Sequence, residues 1–246
     1  MIICDSLRKY VLQAAIQGKL TKQLESDSHA SELLASIQEE RRRLVKEKKI
    51  RKEDQIHPVS ENEIPFDIPD NWVWARLGAI STYGNSQGKV KSDQIPAETW
   101  ALDLEDIEKG TSRILVRRTV ANRKIDGEKS IFFKGNILYG KLRPYLLKVL
   151  IAPEDGICTP ELVPFDVLKC DAAFFVSVLK SPYVDASVNA VTYGMKMPRV
   201  GTDTMLSLPL PLPPLAEQHR IVARIDELMA KIGELQVIED ELRTMI

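Results

Sequence analysis

Lysine and arginine stand beside tyrosine, glycine and proline in two stretches of the sequence, a combination that suits contact with DNA. The stretches are YGKLRPYLLK, residues 139–148, and TYGMKMPRV, residues 192–200. Lysine and arginine neutralise backbone phosphates, and either side chain can hydrogen-bond to guanine. Two more basic stretches, SQGKVK (residues 86–91) and RRTVANRK (residues 117–124), add positive charge, and the glutamine in the first suits adenine.

Any surface loop can carry lysine and arginine, so each stretch taken alone says little about function. Four such stretches in one region favour a DNA-binding surface. The candidate DNA-binding residues all lie within these stretches. They are Gln87, Lys89, Arg117, Lys141, Arg143, Tyr145, Tyr193, Lys196 and Arg199.

One of these stretches overlaps the beginning of a phosphate-binding pattern. GNILYGKL, from Gly135 to Leu142, matches GxxxxGK, in which backbone N–H groups cradle phosphates and the lysine reaches them. Leu142 stands where serine or threonine must hold Mg²⁺, and the residues Asn-Ile-Leu-Tyr resemble a buried strand rather than a loop. The sequence therefore predicts a strand here and no nucleotide site.

Catalytic patterns are missing elsewhere in the sequence as well. His29, His57 and His219 are isolated from one another, and no histidine lies near Cys158 in the sequence. We read Cys158 as a small buried residue rather than a nucleophile. Neither the acidic and lysine pattern of a metal nuclease nor the glycine-rich loop of a methyltransferase is visible. We expect a chain without catalytic residues, metal or cofactor of its own.

Composition limits the class of protein. The chain has 246 residues, a formal net charge of −1 and 28% charged residues, which excludes a histone-like polycation but permits a local basic face. Its length fits one domain with appendages or two small domains. Three cysteines without CxxC spacing suit a reducing compartment, and no apolar run is long enough to span a bilayer. We expect a soluble cytoplasmic protein with no membrane partner.

Two helices are predicted at the beginning of the chain. The first covers about residues 6–20 and ends near Gly18, and its apolar face holds Leu7, Tyr10, Val11 and Ala14. The second covers residues 30–53, and its apolar stripe holds Leu33, Leu34, Ile37, Leu44 and Val45. The end of the second helix is strongly basic; we favour a solvated face there over a phosphate-binding one.

The end of the chain changes character at residues 208–214, LPLPLPP, which we call the proline segment. Proline fixes an extended, non-helical backbone there, and a long amphipathic helix follows. The helix has a seam of apolar positions spaced as in a coiled coil, interrupted by Glu239. This seam favours a coiled-coil arm over packing on the chain's own core. It consists of Ile221, Ile225, Leu228, Ile232, Leu235 and Leu242.

The motif LPLPLPPLAEQHRIVARIDEL resembles the sequence that closes a target-recognition domain in the specificity subunits of type I restriction-modification enzymes. FDIPDNWVWARLGAI (residues 66–80) is similar to the beginning of such a domain, and FKGNILYGKLRPYL to its central strand and loop. LRKYVLQAAIQGKLTKQ resembles a family helix that follows the spacer helix in two-domain members. The residues that match the closing motif are Pro211, Pro213, Pro214, Leu215, Glu217, Gln218, Ile221 and Val222.

The resemblance implies an α+β fold, with a mixed α/β target-recognition domain, N-terminal helices and a long C-terminal coiled-coil helix. We assign residues 1–53 to the N-terminal helical region, 54–213 to the recognition domain and 214–246 to the spacer helix. Family members have two recognition domains, whereas this chain has room for one. It therefore departs from the family pattern as a half-length specificity subunit.

The implied function is recognition of double-stranded DNA without catalysis. DNA methyltransferase and restriction subunits would be the partners, and S-adenosylmethionine, ATP and Mg²⁺ would bind only to them. Two copies would form a homodimer around the seam and read a bipartite, inverted-repeat target; a heterodimer with another half-subunit is the main competitor. Two other functions stay open: a self-contained nuclease, and a coiled-coil adaptor without a DNA role.

Overall fold

The fold combines helices at both ends of the chain with a central region of short strands. The computed structural model describes residues 2–51, 56–85, 88–91, 95–192 and 196–244. Within these ranges the helices are α1 (Ile2–Ile16), α2 (Ala30–Lys46), α3 (Leu77–Ile80), α4 (Ala172–Leu179), α5 (Pro182–Asn189), α6 (Thr202–Ser207) and α7 (Leu215–Thr244). None of the helices in the described part of the chain is long and apolar enough to cross a membrane.

The strands form three small sheets. They are β1 (Val73–Arg76), β2 (Lys89–Lys91), β3 (Ala101–Leu102), β4 (Glu128–Phe132), β5 (Ile137–Gly140), β6 (Val149–Ile151), β7 (Gly156–Cys158), β8 (Leu162–Phe165) and β9 (Pro209–Leu212). The strand orders are β1-β9, β2-β4-β7-β3 and β6-β5-β8. All pairs are antiparallel except β3 with β7. The predicted α+β class, with N-terminal helices and a long C-terminal helix, is confirmed.

Two hydrophobic cores support these sheets. The larger core joins the terminal helices to the central region, since it contains Val11 of α1, Phe165 of β8 and Ile221 of α7. The smaller core lies under the four-stranded sheet and includes Trp100 and Phe132, whose rings meet edge to face. All three predicted regions of the chain therefore contribute to the larger core, and their exact boundaries stay a prediction.

The first helix starts and ends earlier than its predicted range of about residues 6–20. It stops at Ile16, and Gly18 adopts a left-handed backbone with φ +67°. The N–H of Lys19 donates to the carbonyl of Ala14, which closes the helix end in the way that favours glycine. Tyr10 was predicted on the apolar face, but it is 70% exposed because Val11 and Ala14 turn toward the core instead.

The apolar run AAFFVSVL is a helix, α4, although it lies in a region of short strand-like runs. Asp171 caps it by accepting hydrogen bonds from the N–H groups of Ala173 and Phe174, at 2.7 and 3.2 Å. An aspartate directly before an apolar run is a helix-start signal, and it distinguishes this run from the strands around it.

The proline segment is an edge strand. Its residues Pro209–Leu212 form β9, which among the described strands pairs with β1 alone, so the missing N–H groups of the prolines do not interrupt a larger ladder. Tyr183 on α5 donates its hydroxyl hydrogen to the carbonyl of Pro209 at 2.9 Å. The predicted extended backbone is confirmed, and the segment is fixed to the central region on both sides.

The helix that follows begins with a buried carboxylate. Glu217 is fully buried and accepts hydrogen bonds from the indole N–H of Trp72 at 2.8 Å, the hydroxyl of Thr21 at 2.9 Å and the side-chain amide of Gln23 at 2.9 Å. Its neighbour Gln218 is also buried. Gln218 accepts from the N–H of Asp171 and donates to the carbonyl of Pro213, both at 2.9 Å.

These contacts make α1 and α7 antiparallel neighbours. Near the beginning of α7, Arg220 makes two hydrogen bonds to Asp27, and this partnership lowers the pKa of the Asp27 carboxyl. Near the other end of α7, the thiol of Cys4 lies 3.6 Å from a carboxylate oxygen of Glu239. The helix α1 and the segment after it are thus paired along most of α7.

This packing changes the predicted partner of the seam on α7. Ile221, Ile225 and Ile232 are buried in the chain's own larger core, and Leu228 is half-buried against it. Only the distal seam residues Leu235 and Leu242 are exposed. The sequence did not reveal this because heptad spacing is the same whether the partner helix belongs to another copy or, like α1, to the same chain.

The buried Glu217 predicts a specific stability defect. Replacing it with alanine leaves the buried indole N–H of Trp72 without an acceptor, so Glu217→Ala should lower the free energy of unfolding by about 2 to 3 kcal/mol. Glu234→Ala, at an exposed position on the same helix, should change it by less than about 0.5 kcal/mol. Urea unfolding of both variants checks this, and equal effects would contradict the role of the buried carboxylate.

Candidate nucleic-acid interface

Two of the predicted basic loops meet in the structure. The N–H of Val200 donates to the carbonyl of Lys141 at 3.1 Å, and Leu142 and Arg199 form an isolated antiparallel bridge. The N–H of Lys141 donates to the carbonyl of Glu161 at 3.0 Å. The segment after β5 is therefore joined to the segment before α6, and we call residues 141–148 and 196–200 together the loop junction.

Arg143 holds an unusual backbone conformation at the centre of the loop junction. Its φ of 50° lies in the left-handed region, which is strained for a residue other than glycine. Its N–H donates to the carbonyl of Pro198 at 2.7 Å, and a short 3-10 turn, Pro144–Leu146, follows. Backbone strain that the surrounding structure maintains is typical of functional sites. The guanidinium is exposed, with one nitrogen 3.4 Å from the carbonyl of Lys196.

Arg199 is oriented by an acidic residue. Its guanidinium donates to both carboxylate oxygens of Glu161, at 3.0 to 3.2 Å. The two side chains remain partly accessible, at 38% for Arg199 and 25% for Glu161. A carboxylate that binds one edge of a guanidinium fixes the plane of the whole group, which favours directional hydrogen bonds over simple charge attraction.

The remaining residues of the loop junction present both charge and apolar surface. Lys196 is exposed, and Tyr145 and Met197 are 49% and 46% exposed. Lys141 is half-buried. The structure therefore brings together five of the predicted DNA-binding residues: Lys141, Arg143, Tyr145, Lys196 and Arg199.

Two other predicted residues, Lys89 and Arg117, lie outside the loop junction. Lys89 lies on β2 and pairs with Glu128 at 2.7 Å, and Arg117 pairs with Glu154. Neither residue is joined to the loop junction by a hydrogen bond within the described part of the chain. Both ion pairs are solvent-exposed, so the carboxylates offset the two charges without fixing them strongly.

The last two predicted residues, Gln87 and Tyr193, lie outside the described residues. Conversely, the sequence did not identify Glu161 as a candidate residue, although its carboxylate orients Arg199. It lies in the connection between β7 and β8, far from the basic stretches in sequence, and a single glutamate in a loop carries no signal of its own. The hydrogen bond from the N–H of Lys141 to the carbonyl of Glu161, together with the bridge between Leu142 and Arg199, brings it to the site.

The residues considered for other chemistry have structural roles. The strand β5 is buried along its length, so the GxxxxGK match is not a phosphate loop. Burial raises the pKa of the Cys158 thiol to about 12, as expected for an unreactive core residue. His29 caps α2 by accepting from the N–H of Ser31. Among the described residues no group of three histidine, cysteine or acidic side chains is arranged to hold a metal ion.

Comparison with known protein families identifies the family to which this chain is similar. Residues 71–243 match the family described as the type I restriction modification DNA specificity domain. The chain belongs to this family. Its matched part begins just before β1 and continues to the end of α7, so it contains the loop junction, the proline segment and the buried Glu217.

Curated relatives of this specificity-domain chain come from Escherichia coli. The chain is 31% identical over 229 residues to the type I restriction enzyme EcoDI specificity subunit, covering 93% of this chain and 47% of that protein. It is 30% identical over 247 residues to the EcoAI specificity subunit, covering 95% of this chain and 41% of that protein. The chain thus spans less than half the length of the curated relatives it matches.

Solved structures support the fold of this specificity-domain chain. The HsdS subunit from Thermoanaerobacter tengcongensis matches with a TM-score of 0.62 and 21% identity, covering 73% of this chain and 47% of that chain. At this identity the likeness establishes the fold.

The geometry of the loop junction predicts different effects for its cations. Arg199→Lys keeps the charge but loses the paired hydrogen bonds, so it should relax preference at one base pair by about 1 to 3 kcal/mol. Lys196→Ala should weaken binding to all sequences and reduce the salt slope by about 1. Binding titrations with duplexes of varied sequence and salt concentration measure both effects.

The control for this prediction is Lys9→Ala, a change of an exposed lysine on α1. A variant with alanine at Lys141, Arg143, Lys196 and Arg199 that folds normally and binds with unchanged affinity and selectivity would place the DNA-binding surface elsewhere.

Proposed function

We propose that this chain is the DNA-recognition component of a type I restriction-modification enzyme and has no catalytic activity of its own. It would act in the cytoplasm on double-stranded DNA and position partner subunits on the target. Those partners are an N6-adenine methyltransferase, which would bind S-adenosylmethionine, and a restriction subunit, which would use ATP and Mg²⁺.

The observation that carries this proposal is the loop junction in a chain of the specificity-domain family. Four cationic side chains from two distant segments meet on a backbone that hydrogen bonds hold rigid. One of them, Arg143, occupies a strained conformation, and another, Arg199, is oriented by Glu161. Discrimination between base pairs requires that arginine and lysine side chains be held rigidly. A misplaced hydrogen-bond donor would bind the right and the wrong base with nearly equal free energy.

The two alternative functions have less support. A self-contained nuclease and an adaptor without a DNA role each leave the oriented Arg199 and the strained Arg143 unexplained. The family relationship favours neither of them. The long helix of the adaptor hypothesis is accounted for within the specificity-domain family, where we expect it to serve as a spacer.

We propose further that two copies associate through the distal part of α7. Leu235, Ile238 and Leu242 are spaced by three and four residues and are 50%, 53% and 57% exposed, so they form one apolar stripe. This chain aligns with less than half of each curated relative, and pairing of two such chains would place two recognition domains in one assembly. Twofold pairing would present two inverted half-sites.

Selection from random DNA tests the recognition function. The full chain mixed with a methyltransferase subunit of the same system should enrich a bipartite motif with a constant gap, and the purified chain alone should neither cleave DNA nor hydrolyse ATP nor methylate. Enrichment of no motif would contradict DNA recognition. Robust turnover by the pure chain, abolished by one substitution, would contradict the non-catalytic role.

Sedimentation tests the pairing of two copies. Leu235→Lys combined with Leu242→Lys places charges in the distal stripe and should convert a dimer to a monomer without unfolding it, because both side chains are exposed in one chain. Val237→Lys is the matched control, since residue 237 lies on the opposite side of the helix from residue 235. A monomeric wild-type chain at micromolar concentration would contradict the homodimer, and an asymmetric selected motif would favour a heterodimer.

A further inference from the structure

The end of α2 and the turn after it form the most basic segment of the described chain. Residues 41–51 contain seven basic residues and one acidic residue, Glu47, which gives a net charge of +6 in a chain whose total is −1. Including the next three residues, Lys52, Glu53 and Asp54, lowers this to +5. We call residues 41–51 the basic segment.

Part of this charge has a structural explanation. Arg43 pairs with Glu40 and Glu47, and Lys49 pairs with Glu47. Basic side chains in the last turn also offset the partial negative charge at the end of a helix. Arg42, Lys46 and Lys48 are exposed and have no acidic partner among the described residues, so these three charges exceed what the helix end requires.

Lys48 has an unfavourable backbone conformation for a lysine. Its φ is 57°, and the N–H groups of Lys48 and Lys49 donate to the carbonyls of Val45 and Leu44 in a helix-ending turn. Glycine is the residue that such a position favours, because a side chain in the left-handed region costs free energy. The chain keeps an exposed cation at a position where glycine would be more stable.

The basic segment is fixed at both ends to one stretch of the central region. The guanidinium of Arg41 donates to the carbonyl of Ser81 at 2.7 Å, and the N–H of Arg51 donates to the side-chain oxygen of Asn85 at 2.8 Å. The buried Ile50 anchors the turn between them. Residues 81–85 therefore serve as the platform on which the segment lies.

The same platform contacts the elements that carry the loop junction. A methyl group at Gly84 would lie 3.1 Å from Thr202, the first residue of α6 and three residues after Arg199. The ring of Tyr83 packs against that of Tyr139, two residues before Lys141, with centroids 6.2 Å apart. The basic segment and the loop junction are thus held in one rigid frame.

We propose that the basic segment binds the phosphodiester backbone of the same DNA duplex whose bases the loop junction contacts. This inference rests on the proposed function. Flexible lysine and arginine side chains at a helix end neutralise phosphates without reading sequence. Contact beside the recognition loops would hold the duplex in register and contribute equally to every sequence. A basic face that contacts only solvent, the expectation from sequence, would leave the excess charge and the strained Lys48 unexplained.

The test is the salt dependence of binding to a duplex of random sequence. Arg42→Gln, Lys46→Gln and Lys48→Gln combined should reduce the slope of log K against log salt by about 2 to 3, because each lost phosphate contact contributes about 0.9. The ratio of wild-type to variant affinity should then fall roughly 15- to 60-fold between 50 and 200 mM salt. Preference for the selected motif over random DNA should be unchanged.

The matched control removes three other exposed lysines, by Lys9→Gln, Lys22→Gln and Lys109→Gln, and should keep the wild-type slope. Circular dichroism confirms that both variants fold. If the wild-type slope depends on Lys196 but the basic-segment variant keeps it, the inference is wrong and the proposed function stands. If the wild-type chain binds neither random DNA nor a selected motif, both are wrong.

Discussion

The buried carboxylate of Glu217 is the interaction on which the arrangement of the whole chain depends. It accepts hydrogen bonds from Trp72 and from Thr21 and Gln23, which lie about 200 residues before it in sequence. A buried charge is stable only when hydrogen bonds replace the water it has lost. The segment after α1, the beginning of β1 and the beginning of α7 must therefore meet at one point, and this meeting determines how α7 leaves the central region.

The proline segment and Gln218 make this direction rigid. The segment pairs with β1 as an edge strand, while Gln218 joins the beginning of α7 to Asp171 at the cap of α4. Packing of α1 along α7 then supports the helix over most of its length. In the proposed function, this protein presents recognition loops to DNA. A rigid helix would then hold the recognition domain at a constant distance, measured along the duplex, from the rest of the assembly. The buried residues of α7 serve this rigidity, and its exposed distal stripe would serve the proposed association of two copies.

The proposed recognition surface would allow a chain with a net charge near zero to bind DNA. Many of its basic residues pair with acidic ones, as Lys89 does with Glu128, whereas the loop junction and the basic segment collect cations on one frame. Glu161 partly offsets the charge of Arg199, but it also fixes the orientation of the guanidinium. In the proposed function, orientation would serve discrimination between bases, while the exposed lysines around it would serve general attraction to phosphate. The two requirements are met by different side chains on the same backbone.

The sequence by itself determined the extended proline segment, the buried strand in the GxxxxGK match and the long terminal helix, because local patterns of proline, periodicity and apolar runs are sufficient for these. The α+β class followed from the resemblance of its motifs to the specificity-subunit family. The sequence also identified the two basic loops. It did not determine that Ile221, Ile225 and Ile232 pack within their own chain, since heptad spacing does not name the partner helix. Nor did it identify Glu161 or separate Lys89 and Arg117 from the loop junction. Those outcomes depend on contacts between residues distant in sequence, and only the tertiary structure decides which of them form.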